Sequence, residues 1–451
     1  MEDGRLSIRL RTLFGRTVVL LCWLAYSQVP LHAGTSGERN VAKNSLDTYV
    51  QEFRVKELAA SLQNMQPGPE QDYFEGVLAN RTGQVEKSIR LLNNALPKIR
   101  ASQRDRAAVA LEILADNYNK VFRYADAGRA YDDLLAHFSD QLKSDHLQGT
   151  KDDAGVVRLL RGAPAQTVVW NGPTRLKTER DTIGSLVTEL TVNGVREKWL
   201  LDTGANLSVV SRSFAGKLGL QPLPGFGQTM SGLTGIENPL QVAILPVLQI
   251  GGAMLRNVVV LILDDDNLKI KLPNKSYQIN GIIGYPVFQT LGVVTFFHDG
   301  FWEAGPETES KTSGTHMYMR FLQPVIECRI QGQSLPFPFD TGADGTFLSI
   351  RYYKRFQGDS KNWKKGENMM GGGGGAVRRK VYLLPQLHLQ VGTQVATLYN
   401  VPVIPTPIGA DRDELYGNLG QDFVAGFESF TLDFSKMTFS LGAPLTVQAK
   451  Q

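Results

Sequence analysis

Apolar residues recur every three or four positions from about Ser45 to Phe138, as in Ile89, Leu92, Ala95 and Leu96 and again in Leu111, Leu114, Ala115 and Tyr118. That spacing lays one face of an α-helix on a core, so residues 45–138 are expected to be all-α, with one helix running from Asp47 to Leu62. From 139 to 183 the period fades, and Gly149, Gly155, Gly162, Pro164, Gly172 and Pro173 interrupt any long element. A linker is expected there, with a single strand at Thr167–Trp170. Beyond it the pattern changes to short β-branched runs divided by turns, the mark of a new, β-rich region.

The β-rich region occurs twice in the same order. Leu190-Thr191-Val192-Asn193-Gly194 followed by Leu200-Leu201-Asp202-Thr203-Gly204-Ala205-Asn206 is answered by Cys328-Arg329-Ile330-Gln331-Gly332 and Pro338-Phe339-Asp340-Thr341-Gly342-Ala343-Asp344. Gly194 to Gly332 and Asp202 to Asp340 share one offset, 138 residues. Further on, Ile250-Gly251 with Asn257-Val258 matches Val391-Gly392 with Asn400-Val401, both strand, turn, strand. Gly281-Ile282-Ile283-Gly284 then matches Gly417-Asn418-Leu419-Gly420, and the final glycine lies 82 residues after the Asp in one copy and 80 in the other. Two homologous lobes follow.

Each copy resembles one retropepsin-type aspartic peptidase lobe: apolar residues before Asp-Thr-Gly-Ala, a glycine-bearing hairpin, then an apolar-apolar-Gly segment. The resemblance covers roughly 184–300 and 316–443, with 301–315 as a second linker. It implies two all-β acid-protease lobes related by a pseudo-twofold, with Asp202 and Asp340 as the catalytic pair and peptide or protein as substrate. It also implies that Thr203 and Thr341 reach across to the opposite loop, that Gly204 and Gly342 permit close approach, and that Ile283-Gly284 and Leu419-Gly420 pack beside the loops. Asn418 departs from the family's apolar first position. Met230, Ser231 and Gly232, and Gly371, Gly372 and Gly373, stand where substrate-covering flaps are expected, although the five successive glycines also read as a disordered loop.

The chemistry suits those residues. Amide hydrolysis needs an activated water and a proton donor, and two facing carboxyls that share one proton supply both, as is established for aspartic peptidases. The titration belongs to the pair, so neither role falls to one residue. Ala205 and Ala343 lack the hydroxyl that pepsins offer the carboxylate next door, which favours mildly acidic over strongly acidic activity.

In the helical region, Gly76, Ala79, Gly83, Leu92, Ala95 and Pro97, and then Ala115, Tyr118, Ala127 and Tyr131, resemble tetratricopeptide repeats, with Asp72 and Glu75 departing from the pattern. Such helix pairs offer a surface to a protein partner or serve as a spacer or cap.

Composition and charge narrow the rest. The chain is 42% hydrophobic and 20% charged, with 45 Gly and 21 Pro, a folded and turn-rich profile over a length that favours several domains. A net charge of +4, without basic runs interleaved with aromatics, makes nucleic acid an unexpected partner. Residues 1–33, with Arg5, Arg9, Arg11 and Arg16 before an apolar Val18–Ala25 stretch, look like a cleaved export signal too short to span a bilayer. Periplasmic or secreted location is expected, with no stable membrane span after cleavage. Cleavage would remove Cys22 and leave Cys328 as the one thiol, so no internal disulfide forms. No cofactor or metal is expected: the six His lack ligand spacing, and Asp264-Asp265-Asp266 reads as a solvated turn. The competing readings are a homodimer that pairs like lobes between chains, and an inactive peptidase-like protein that binds peptides.

Overall fold

The computed structural model describes residues 45–225, 227–230, 237–271, 276–306, 314–372, 375–408 and 413–445. The expected leader, 1–33, lies outside them. Seven helices come first among the described residues: α1 (Ser45–Gln51), α2 (Val55–Leu62), α3 (Pro69–Arg81), α4 (Val85–Ile99), α5 (Arg104–Lys120), α6 (Tyr124–His137) and α7 (Ser144–Leu159). None of the described helices is long and apolar enough to cross a membrane.

Local chemistry explains several boundaries. Pro69 opens α3 where an N–H has no intrahelical partner, and Glu70 and Asp72 complement the helix dipole. The expected single helix 47–62 is instead two, broken at Phe53, whose φ of +53° turns the chain. The break buries the Phe53 ring against Tyr318 and beneath the Arg81 guanidinium, a gain in apolar and cation–π contact that outweighs helical continuity.

The central helix, α5, is buried nearly all round, including Glu112, Asp116, Asn117 and Lys120. Asp116 Oδ2 accepts from Lys120 Nζ and from Asn80 Nδ2, each at 2.6 Å, Asn117 donates to Ser88 Oγ at 2.7 Å, and Glu112 meets His146 at 2.7 Å.

Residues 139–183 are not a linker. The first part is α7, which packs on α6 and on strand Gly227–Met230, and the rest forms strands Thr167–Trp170, Thr174–Lys177 and Glu179–Arg180, each added to a sheet. Gly149 and Gly155 lower helix propensity by about 1 kcal/mol each, and burial of Ala154, Val156, Val157 and Leu160 against neighbouring elements overrides it. Nor does 301–315 separate the lobes: Phe301–Gly305 is a strand between Val293–Phe297 and Thr174–Lys177.

Among the described residues, lobe 1 is built mainly on a nine-stranded sheet in which Ala253–Leu263 lies between Ser208–Ser211 and Glu237–Ile250. Its run Val258–Leu263 is apolar at every position because both faces are covered. Val258, Val260 and Ile262 point into the lobe, whereas Val259, Leu261 and Leu263 join a core shared with the helices. The helical layer therefore caps lobe 1.

Lobe 2 repeats the plan with Pro324–Ile330, Gln333–Pro338, Lys364–Gly372, Gly375–Val391 and Gln394–Val403. The turns Asn193-Gly194 and Gln331-Gly332 have matching positive φ (+49° and +79°; +49° and +78°), and so do Asn257 and Asn400 (+59° and +53°). The two lobes join in one sheet where Val293–Phe297 pairs antiparallel with Ser429–Asp433. There Thr295 faces Thr431, their hydroxyls 2.9 Å apart. These two residues are separated by the same 136 positions as Gly284 and Gly420, so the pseudo-twofold passes between them.

The Asp116–Lys120 pair tests the cap. Both side chains are at most 2% exposed, so Asp116→Ala, which strands a buried ammonium, is expected to cost about 3–5 kcal/mol in chemical denaturation. Adding Lys120→Met is expected to restore most of it.

Candidate active site

Each acidic loop grows from the end of a buried strand. Trp199, Leu200 and Leu201 close strand Val195–Leu201, which runs parallel to Gly281–Ile283, and the Asp202 N–H donates to the Ile283 carbonyl at 3.0 Å. In lobe 2, Phe339 bridges Leu419 and the Asp340 N–H donates to the Leu419 carbonyl, also at 3.0 Å.

The next residues bind the loops to each other. The Thr203 N–H donates to Thr341 Oγ1 at 3.0 Å and the Thr341 N–H to Thr203 Oγ1 at 3.1 Å. Each hydroxyl donates in turn to the strand behind the opposite loop: Thr203 to the Phe339 carbonyl at 3.2 Å and Thr341 to the Leu201 carbonyl at 2.8 Å. All four groups are buried, where such bonds are strongest.

This lattice presses the two carboxyls together. A Cβ on Gly204 would lie 2.5 Å from Asp340 Cγ, and one on Gly342 would lie 2.4 Å from Asp202 Cγ. Only glycine leaves room. The Gly204 N–H donates to Asp202 Oδ1 at 2.9 Å, and the N–H groups of Gly342 and Ala343 donate to Asp340 Oδ1 at 2.8 and 3.1 Å. Both Asp side chains are fully shielded from solvent. Burial first, then the charge of Asp340 and a hydrogen bond shared with it, hold the Asp202 carboxyl well above the usual range, against the pull of the Gly204 and Ala205 N–H groups.

Gly284 and Gly420 lie against the backbone of Leu207 and Gly345, too close for a side chain. Their N–H groups donate to Ser208 Oγ and Thr346 Oγ1, both at 3.1 Å. Ser208 and Thr346 were not singled out in the sequence, yet they stand at the same 138-residue offset as the two Asp. That doubling was the available signal. Gln421 Nε2 also holds the Thr341 carbonyl at 2.7 Å. Asn418, the departure from the apolar pattern, is turned to the site: its Nδ2 lies 3.4 Å from Asp340 Oδ2.

The expected flap positions are only partly described. Met230 ends strand Gly227–Met230 opposite Glu237, while Ser231, Gly232 and Gly373 lie outside the described residues. Gly371 and Gly372 are in a strand, paired with Ala376 and Gly375 at the end of a long hairpin. On that hairpin Met370 and Val381 pack on Ala343, Phe347 and Ile404, an apolar cluster beside the lobe 2 acidic loop. The Asp264–Asp266 run is engaged elsewhere, Asp264 with Arg212 at 2.6 Å, Asp265 with the Ser213 N–H at 3.1 Å and Asp266 with Lys269 at 3.1 Å.

Comparison with known proteins agrees with the duplication. The family model described as aspartyl protease matches residues 188–287 and again 326–423. Among solved structures, one similar chain is a retropepsin-like aspartic protease from Rickettsia conorii, 22% identical over 31% of this chain and 93% of its own, with a TM-score of 0.23. No curated protein matches the chain.

The raised Asp202 carboxyl gives a stability test. The folded protein keeps a proton there that the unfolded chain releases above about pH 4, so this group's contribution to stability falls as pH rises through that window. Asp202→Asn removes the loss. Its melting temperature, relative to the unsubstituted protein, is expected to climb between about pH 4 and 7; a gap that narrows over that range would contradict burial as the dominant cause.

Proposed function

We propose, for a chain whose two β lobes both match the aspartyl protease family, that it is an aspartic endopeptidase whose catalytic pair is Asp202 and Asp340 of the same chain. The observation that carries this reading is the reciprocal bonding of Thr203 and Thr341, which seats both carboxyls in one buried site. Like charges so placed cannot both ionise, and the pair keeps one proton. Water bound between them then loses a proton to the ionised carboxyl as its oxygen attacks the amide carbon, and the protonated carboxyl gives its proton to the carbonyl oxygen. On collapse, the carboxyl that took the water proton gives it to the amide nitrogen, the C–N bond breaks, and a diol hydroxyl returns its proton to the other carboxyl, which restores the pair and releases acid and amine.

Because the pair is closed to solvent, substrate entry requires one of the hairpins to lift. The lobe 1 hairpin is pinned: a Cβ on Gly227 would come within 3.2 Å of Val156 on α7. The hairpin Lys364–Gly372/Gly375–Val391 meets helix Ile350–Phe356 near its base, where Tyr382, opposite Lys365, stacks on Tyr353, and its far end pairs Gly371 and Gly372 with Ala376 and Gly375, which favours it as the moving flap. An export leader at 1–33 would place the enzyme outside the cytoplasm.

The experiment is hydrolysis of fluorescein-labelled casein by the full chain. Asp202→Asn and Asp340→Asn are each expected to lower the rate by about two to four orders of magnitude, and a statine-type inhibitor to abolish it. Full activity in both variants would rule out the pair. The rate is expected to peak in mild acid, and a maximum near roughly pH 2 would mean the pair titrates lower than its burial implies.

A further inference from the structure

We propose that Asn418 is a positioning residue of this pair, its side-chain amide donating to Oδ2 of Asp340 across 3.4 Å so that Asp340 is the ionised member and Asp202 carries the shared proton. The proposal rests on the reading of the pair as catalytic and adds to it an assignment of roles, which the symmetry of the repeat otherwise leaves open.

The two carboxyls differ in the donors around them. Oδ1 of each accepts from the glycine N–H two residues on, at 2.9 Å in lobe 1 and 2.8 Å in lobe 2, and Oδ1 of Asp340 also accepts from the Ala343 N–H at 3.1 Å. Oδ2 of Asp340 has the Asn418 amide, whereas among the described residues no donor reaches Oδ2 of Asp202. The position equivalent to Asn418 in lobe 1 is Ile282, which has no donor. Both residues are buried on short strands beside their loops, Asn418 paired with Phe347 and Ile282 with Leu200 and Val209.

A buried amide aimed at a carboxylate stabilises the ionised form and has no comparable effect on a carboxyl that must donate. The proton therefore settles on the carboxyl without the extra donor. Hydrolysis then has a direction: Asp340 takes a proton from the water as the O–C bond forms, and the Asp202 proton moves to the carbonyl oxygen, leaving the charge of the pair unchanged. The other charged groups packed on this side are Asp344, which faces Arg180 from strand Glu179–Arg180, and Asp422, held by the Thr346 N–H and hydroxyl; from lobe 1 it is Asp202. All of them stay in place in the variants below.

The test is the pH dependence of kcat/KM for labelled casein. Loss of the donor makes the first ionisation of the pair harder, so in Asn418→Ile and in Asn418→Ala the acid limb is expected to move up by about one pH unit, with a roughly tenfold lower rate below it. The double swap Ile282→Asn with Asn418→Ile moves the amide to the other lobe and is expected to return the limb to its original position. A purely structural role would instead lower the rate equally at every pH. An acid limb that stays in place in both single variants, with the melting temperature preserved, overturns the proposal, and so does a swap whose limb remains displaced. The swap decides alone if the single variants do not fold. Casein hydrolysis that survives Asp202→Asn and Asp340→Asn defeats the peptidase reading itself, a result distinct from an unmoved limb.

Discussion

The structure depends on the buried exchange of hydrogen bonds between Thr203 and Thr341. Two carboxyls forced together in a dry interior repel one another once both are charged, and nothing in a single lobe would hold them there. Each threonine N–H is taken by the opposite hydroxyl, and each hydroxyl then anchors on the strand behind the opposite loop. The lattice closes only when both lobes are present in register, which gives the duplication a physical function beyond symmetry.

The remaining architecture stiffens that junction. One sheet runs continuously through both lobes, and equivalent threonines meet in it at the axis. On lobe 1 a second layer is added, because the strand Ala253–Leu263 is apolar on both faces and its outer face needs cover. The helices provide it and close α7 over strand Gly227–Met230. The lobes consequently differ in cover: strand Gly227–Met230 lies against a helix, whereas the long lobe 2 hairpin packs Met370 and Val381 on residues of its own lobe.

A similar asymmetry reaches the chemistry. In a perfectly repeated site the shared proton would have no preferred side. Asn418, where lobe 1 has Ile282, breaks that equivalence at Oδ2 of Asp340. The cost of burying an amide is met by the hydrogen bond it makes to a charge, so the departure from the apolar pattern has a local physical basis.

The fold of the lobes and the identity of the acidic loops were legible in the chain because they are written twice. A constant offset of 138 residues between Asp-Thr-Gly motifs is long-range information carried by local strings, and alternation and turn residues then mark strands without reference to the rest of the molecule. Features set by partners distant in sequence were not legible. Helix α7 has two glycines and little amphipathic signal, and exists because α6 and lobe 1 pack on it. Phe301–Gly305 has no local mark separating a connector from a central strand, and the break at Phe53 follows from a pocket around Tyr318. Asn418 read as a flaw in packing until its carboxylate neighbour, 78 residues earlier in the chain, was in place. The sequence by itself determined which residues could do acid–base chemistry. Tertiary structure decided which of them face one another, how dry their surroundings are and which oxygen has a donor, because burial and hydrogen-bond geometry are properties of what folding brings together.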